Sequence, residues 1–126
     1  MGSRVLVVED NPMNFRLVRH VLEARGHIVE CAVSVPEARD RLDEALDIVL
    51  LDIQIPGGGG LALLDEIRRN PAIAKIPVVA VTALAMEGDR ESLITAGFDE
   101  YIAKPINTRT FGPIVEMLIA VGRRAR

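Results

Sequence analysis

Five short apolar runs alternate with helix-period segments along this chain, and four of the runs lead into a polar residue. Asp10 follows Arg4 to Glu9, Asp52 follows Ile48 to Leu51, Thr82 follows Val78 to Val81, and Lys104 follows Tyr101 to Ala103. Such alternation is a βα repeat, and it predicts an α/β fold: a doubly wound, five-stranded parallel sheet with helices on both faces. At this size the expected strand order is 2-1-3-4-5. The composition agrees. Hydrophobic residues make up 49% of the chain but aromatics only 3%, with no Trp, so the core must be Val, Ile, Leu and Ala, as suits strands buried on both faces. A length of 126 residues accommodates one such domain and no second.

The individual elements carry their own signals. Asn11-Pro12 reads as an N-cap followed by proline at the first helical position, opening a helix with Phe15, Val18, Val21 and Leu22 on one stripe that stops near Gly26. Ile28 to Ala32 is a second strand. Ser34 and Glu37 have capping-box spacing before a helix bearing Ala38, Leu42 and Ala45. Asp47 to Asp52 is the third strand, central because its apolar residues are consecutive. The next helix places Leu61, Leu64 and Ile67 on its apolar face and ends at Asn70-Pro71. Pro77 opens the fourth strand, a weaker helix containing Gly88 runs to about Ala96, Glu100 to Ala103 is the fifth strand, and the last helix starts near Asn107 with Phe111, Ile114, Val115 and Leu118 inward.

Charge and motif content exclude several function classes. A net charge of −3 provides no general attraction to nucleic acid or to an anionic membrane, and Arg123, Arg124 and Arg126 read as a solvated basic tail, residues 123–126. The longest uncharged stretch, Ile76 to Met86, is too short to cross a bilayer, and the start of the chain runs directly into a strand without room for a signal peptide. A single cysteine, Cys31, fits a reducing cytoplasm and reads as a small core residue. His20 and His27 read as surface residues. No Gly-x-Gly-x-x-Gly follows the first strand and no Lys-Ser or Lys-Thr follows the glycine run, so both nucleotide fingerprints are missing.

The strand ends point to chemistry. An open parallel sheet binds ligands outside the carboxyl ends of its strands, so Glu9, Asp10, Asp52, Thr82 and Lys104 should converge on one crevice. Two like charges about 4 Å apart repel by about 4 kcal/mol at an effective dielectric of about 20, so three carboxylates there need cations. Lys104 is one. A divalent ion would supply the rest, and magnesium suits a site that offers oxygen ligands and only one or two direct carboxylates. Any one of these acids alone reads as a helix cap or a solvated side chain; the set together does not.

With these motifs the chain resembles the receiver domain of two-component response regulators, the CheY-like fold. Val7-Val8-Glu9-Asp10-Asn11 is similar to the acidic pair after strand 1, Leu51 to Pro56 to the phosphoacceptor segment, Ala80-Val81-Thr82-Ala83 to the hydroxyl segment, and Lys104-Pro105 to the lysine-proline step. The run Ile76 to Met86 also resembles single-domain, DivK-type cell-cycle regulators and receivers of hybrid kinases.

The resemblance implies a receiver domain over residues 4–122. Asp52 would take a phosphoryl group from a phosphohistidine on a histidine kinase or phosphotransfer protein. The side chains of Asp10 and Asp52 and the backbone carbonyl of Gln54 would hold magnesium, with Glu9 acting through a water. Lys104, with a cis bond to Pro105, would pair first with Asp52 and then with the phosphoryl group. Thr82 would move inward to the phosphoryl oxygens, and Tyr101 would follow from solvent to interior. The small Ala83 leaves the site open, while Gln54 and Leu84 occupy positions that tune the lifetime of the acyl phosphate. The switch would change the face formed by the fourth helix, fifth strand and fifth helix, with the Gly88 region making the fourth helix the movable element. It would pass the signal to a protein effector by contact, as a monomer or a phosphorylation-linked dimer. The resemblance thus implies a signalling domain acting only on its own phosphorylation, not an enzyme.

Two features stand apart. Receivers usually place bulky or acidic residues after the proline, whereas Gly57-Gly58-Gly59-Gly60 follows here, predicting a mobile loop and an uncertain start to the third helix. The alternative reading is a small magnesium-dependent phosphatase with an aspartate nucleophile, but such an enzyme needs an acid/base Asp two residues after the nucleophile, where this chain has Gln54.

Overall fold

The computed structural model describes residues 2–57, 59–83 and 89–122, without the side chain of Asp89. Gly58, Leu84, Gly88 and the arginines of 123–126 therefore lie outside the described residues, and with them the readings placed on them above. The elements run β1 Arg4–Val8, α1 Pro12–Glu23, β2 Ile28–Ala32, α2 Val35–Arg41, β3 Ile48–Leu51, α3 Gly60–Arg69, β4 Val78–Thr82, α4 Asp89–Ala96, β5 Glu100–Ala103 and α5 Phe111–Val121. All neighbouring strands pair in parallel, in the order β2-β1-β3-β4-β5. The βα repeat read from the sequence thus folds as a doubly wound sheet. Among the described residues no helix is long and apolar enough to cross a membrane.

Alternation along the strands splits the core in two. Leu6, Val8, Val49, Leu51 and Ala80 face one side, where Val35 and Ala38 of α2 and Leu63, Leu64 and Ile67 of α3 cover them. Val5, Val7, Ile48, Leu50, Val79 and Val81 face the other, under Val18 and Leu22 of α1 and Phe111, Val115 and Leu118 of α5. Period-two alternation sends successive side chains to opposite faces, and only a sheet covered on both can bury four consecutive apolar residues, as β3 does. Each buried Leu, Ile or Phe contributes about 1.5–3 kcal/mol, so this double layer is the main source of stability.

Several boundaries and faces differ from the sequence reading. The Asn11 side chain accepts from the N–H groups of Met13 and Asn14 at 2.9 and 3.1 Å, capping α1 as expected. Ser34 accepts from the N–H of Glu37 at 3.3 Å, but Glu37 reaches back to Val33 rather than to Ser34, so only half of the capping box forms. α2 ends at Arg41, because Leu42 is already extended (φ −70°, ψ 127°), which leaves Ala45 outside the helix. On α3 the buried stripe is Gly60, Leu63, Leu64 and Ile67, whereas Leu61 is 50% exposed. α5 begins at Phe111, after a turn over Asn107 to Thr110. Cys31 is half-buried on the edge strand β2 rather than in the core.

His27 is the largest departure: it is buried, at 8% exposure, not a surface residue. Its Nδ1 accepts the Ser3 N–H at 3.1 Å, which leaves Nε2 to donate to Glu116 Oε2 at 2.7 Å. Arg25 grips the same carboxylate through two bonds of 2.8 and 2.6 Å. Its stem lies across Gly112, where a Cβ would collide with it. These partners, Arg25 first and His27 second, pull the Glu116 carboxyl from an ordinary 4.5 down to about 2. A depressed carboxyl contributes stability that is complete above its unfolded value and is lost as pH falls toward the folded one. Urea midpoints measured from about pH 5 to about pH 2 should therefore decline less steeply in Glu116→Gln than in the wild type.

Candidate functional site

Strand register alone brings the acidic residues together. Val8 pairs with Leu51, so the next residues, Glu9 and Asp52, leave the sheet side by side. The ladder continues past the strand ends: Glu9 N–H donates to the carbonyl of Ala32 at 2.9 Å, Asp52 N–H to that of Val8 at 3.0 Å and Lys104 N–H to that of Thr82 at 2.9 Å. Each polar residue is thus held by its backbone before its side chain makes any contact. The Lys104-Pro105 bond is cis.

The side chains then converge. Lys104 Nζ donates to Glu9 Oε1 at 2.6 Å and to Asp52 Oδ2 at 3.0 Å, bridging β5 to β1 and β3. Glu9 and Asp52 are 4% and 8% exposed, while Asp10 stands exposed at the rim. The second oxygen of each buried acid is also occupied: Glu9 Oε2 accepts the Asn11 N–H at 3.1 Å, and Asp52 Oδ1 accepts the Gln54 N–H at 3.0 Å. Thr82 is buried at the carboxyl end of β4, beside Ala103. Tyr101 is half-buried and packs against the α2–α3 side of the core.

Burial and charge compete here. Desolvation pushes the Glu9 carboxyl up despite the nearby ammonium. Burial works against the Lys104 charge as well, but its hydrogen bonds to Glu9 and Asp52 outweigh that and hold its pKa above the ordinary lysine value. Lys104 thus meets two of the three neighbouring carboxylates, Glu9 and Asp52, and Asp10 lies beside them. One oxygen from each of Glu9, Asp10 and Asp52 lies within 4.8 Å of the other two, an all-oxygen set that fits a hard divalent cation such as magnesium.

A protein-family model for the response regulator receiver domain matches residues 5–116. The chain belongs to this family. As a receiver it is 39% identical over 112 residues to the polar-differentiation response regulator DivK of Brucella ovis, spanning 88% of this chain and 91% of that protein. The non-phosphorylated receiver domain of HemR from Leptospira biflexa superposes with a TM-score of 0.85 at 29% identity, covering 98% of this chain and 99% of that one. The receiver domain of the sensor histidine kinase PA1611 from Pseudomonas aeruginosa PAO1 gives a TM-score of 0.82 at 30% identity, over 95% and 99% of the two chains. Its structure holds a magnesium ion coordinated in the active site cleft.

All the residues singled out at the strand ends of this receiver gather at one end of the sheet. The sequence reading named Gly60 only as part of a glycine run and missed its contact with the backbone at Asp52. A Cβ on Gly60 would fall 2.8 Å from Ile53 Cα and 2.9 Å from the Asp52 carbonyl oxygen, so the start of α3 rests directly on the backbone that carries Asp52. Gly57 and Gly59 have φ of 93° and 83°, which side-chain-bearing residues rarely adopt. Glycine is therefore required by geometry at the three described positions of the run, a signal available in the sequence as a glycine at the start of a helix.

Proposed function

We propose that this receiver accepts a phosphoryl group on Asp52 from a phosphohistidine of a histidine kinase or phosphotransfer protein, and thereby switches its contacts with a downstream protein. The observation that carries this reading is the Lys104 ammonium lying between Glu9 and Asp52. An Asp52 oxygen attacks phosphorus, the P–N bond of the donor breaks, and the imidazole leaves with a proton from solvent. A carboxylate is a weak nucleophile, so positioning and charge neutralisation supply most of the rate. The Gln54 N–H and Lys104 fix the carboxylate from its two oxygens.

Lys104 can follow the charge onto a phosphoryl oxygen, and its backbone N–H, bound to the Thr82 carbonyl, registers any shift at Thr82. Asp10, Asp52 and the carbonyl of Gln54 would hold magnesium, with Glu9 acting through a water; the ion would neutralise charge on the transferring group. The magnesium in the cleft of the PA1611 receiver supports that assignment. The Thr82 hydroxyl donates to the phosphoryl group, and Tyr101 responds, altering the α4–β5–α5 face. The switching unit spans residues 4–122, acts in the cytoplasm and turns over no external substrate, since Gln54 stands where a phosphatase would need its acid.

Tyr101 is the single tyrosine and the chain has no Trp, so intrinsic fluorescence reports on that residue alone. Beryllium fluoride, a phosphoryl mimic, should change this emission only when magnesium is present. An unchanged emission with both would count against the switch, and a response to beryllium fluoride without magnesium would count against the proposed ligands.

A further inference from the structure

At the end of the sheet opposite the acidic rim lies a second charged centre, Arg68 in the last turn of α3, with 13% of its side chain exposed. Its Nε and Nη2 donate to the Gly97 carbonyl at 3.1 and 2.9 Å. Nη1 donates to the carbonyls of Ala74 and Ile76 at 3.2 and 2.7 Å, and Nη2 also reaches Asp99 Oδ2 at 2.8 Å. These contacts use the five donors of a guanidinium. Asp99 Oδ2 accepts in addition the N–H of Val78 at 2.9 Å.

One side chain thus ties together the end of α3, the connection before β4, the first residue of β4 and the turn between α4 and β5. That turn is itself closely fitted. Gly97 has φ of 121° and packs over Leu64, while the adjoining Phe98 is buried in the core. Loosening the corner would strand a buried carboxylate and several carbonyls, a costlier change than shifting a half-buried side chain such as Tyr101.

We infer that Arg68 anchors the carboxyl end of α4 and the start of β5. Movement begun at Thr82 is then taken up toward the acidic rim instead of displacing the whole α4–β5 unit. This inference rests on the phosphoryl-switch reading above. Packed units pass a local shift onward as a discrete rearrangement, and a fixed end decides which part of the unit rearranges. Arg68 is a positioning residue in this scheme and touches none of the reacting atoms.

Amide hydrogen exchange on the full chain, with and without magnesium and beryllium fluoride, tests the anchor. In the wild type the mimic should change exchange at Gln54 and Lys104 but leave Gly97, Phe98 and Asp99 within about twofold. In Arg68→Lys, which keeps the charge and loses the fork, the amides of 97–99 should respond to the mimic by about tenfold. Equal responses at Lys104 and at 97–99 in the wild type would overturn the anchor, and that comparison stands even if the variant fails to fold. Faster exchange in Arg68→Lys that is the same with and without the mimic would reduce Arg68 to a purely structural tie and also overturn it. If Gln54 and Lys104 ignore the mimic in the wild type, the switch reading itself fails and the anchor falls with it.

Discussion

Asp52→Asn should take up no phosphoryl group from phosphoramidate and magnesium under conditions that label the wild type. The expected loss is at least about 10³-fold in rate, or about 4 kcal/mol of transition-state stabilisation. The substitution preserves shape and a carbonyl oxygen that can accept the Gln54 N–H, but an amide is not a nucleophile at phosphorus. Its effect on folding separates chemistry from structure. Glu9, Asp10 and Asp52 bring three carboxylates together, one oxygen of each within 4.8 Å of the other two, and removing one charge relieves repulsion of about 3 kcal/mol per pair, reduced by solvent where exposed Asp10 is involved. Without magnesium, the urea midpoint of Asp52→Asn should therefore be no lower than that of the wild type. Lost labelling with a clearly lowered midpoint would point to misfolding instead.

Lys104→Ala should produce the opposite pattern: a large loss of stability that magnesium partly restores. The ammonium lies 2.6 Å from Glu9 and 3.0 Å from Asp52, and removing it leaves two buried carboxylates without their shared cation. Breaking a buried pair from one side costs about 3–5 kcal/mol, and the rim position reduces this to about 2–3 kcal/mol at neutral pH. Glu9 already has a raised pKa, and losing Lys104 raises it further. A carboxyl whose folded pKa exceeds its unfolded value destabilises the protein as pH rises through that interval. The penalty should thus fade on acidification through the elevated Glu9 value. Added magnesium should raise the urea midpoint of Lys104→Ala more than that of the wild type, because it replaces the missing charge. Labelling at saturating magnesium should still be slower by about 10²-fold, since no ammonium remains to meet the phosphoryl oxygen.

Asp10, Asp52, Thr82 and Lys104 were legible because every strand of a parallel sheet points the same way, so residues that end different runs must share one edge. Their convergence at that edge followed from strand direction alone. The apolar face of α3 was harder. Leu61, Leu64 and Ile67 keep helical spacing as well as Leu63, Leu64 and Ile67 do, and the glycines before them offer no side-chain cap to set the phase. His27 could not be placed, because its surroundings come from Ser3 and Glu116, 24 and 89 positions away. Arg68 was hidden for the same reason. Its partners Gly97 and Asp99 lie 29 and 31 positions on, and a guanidinium on the last turn of a helix ordinarily reads as a solvated charge favoured by the helix dipole. Gly60 could have been recognised from its place at the helix start, but the glycines were read for their backbone freedom alone, and the close approach of Gly60 to Ile53 and Asp52 is a tertiary contact.

The most direct measurement is to locate the phosphoryl group itself. After incubation with phosphoramidate, the acyl phosphate can be trapped by borohydride reduction and the modified residue mapped by peptide mass spectrometry, with and without a magnesium chelator. Modification of Asp52 alone, abolished by chelation, is the predicted result. A phosphoryl group on His20, His27 or another carboxylate, or labelling of Asp52 that persists without magnesium, would contradict a receiver whose Asp52 reacts only once metal and ammonium have neutralised its neighbours.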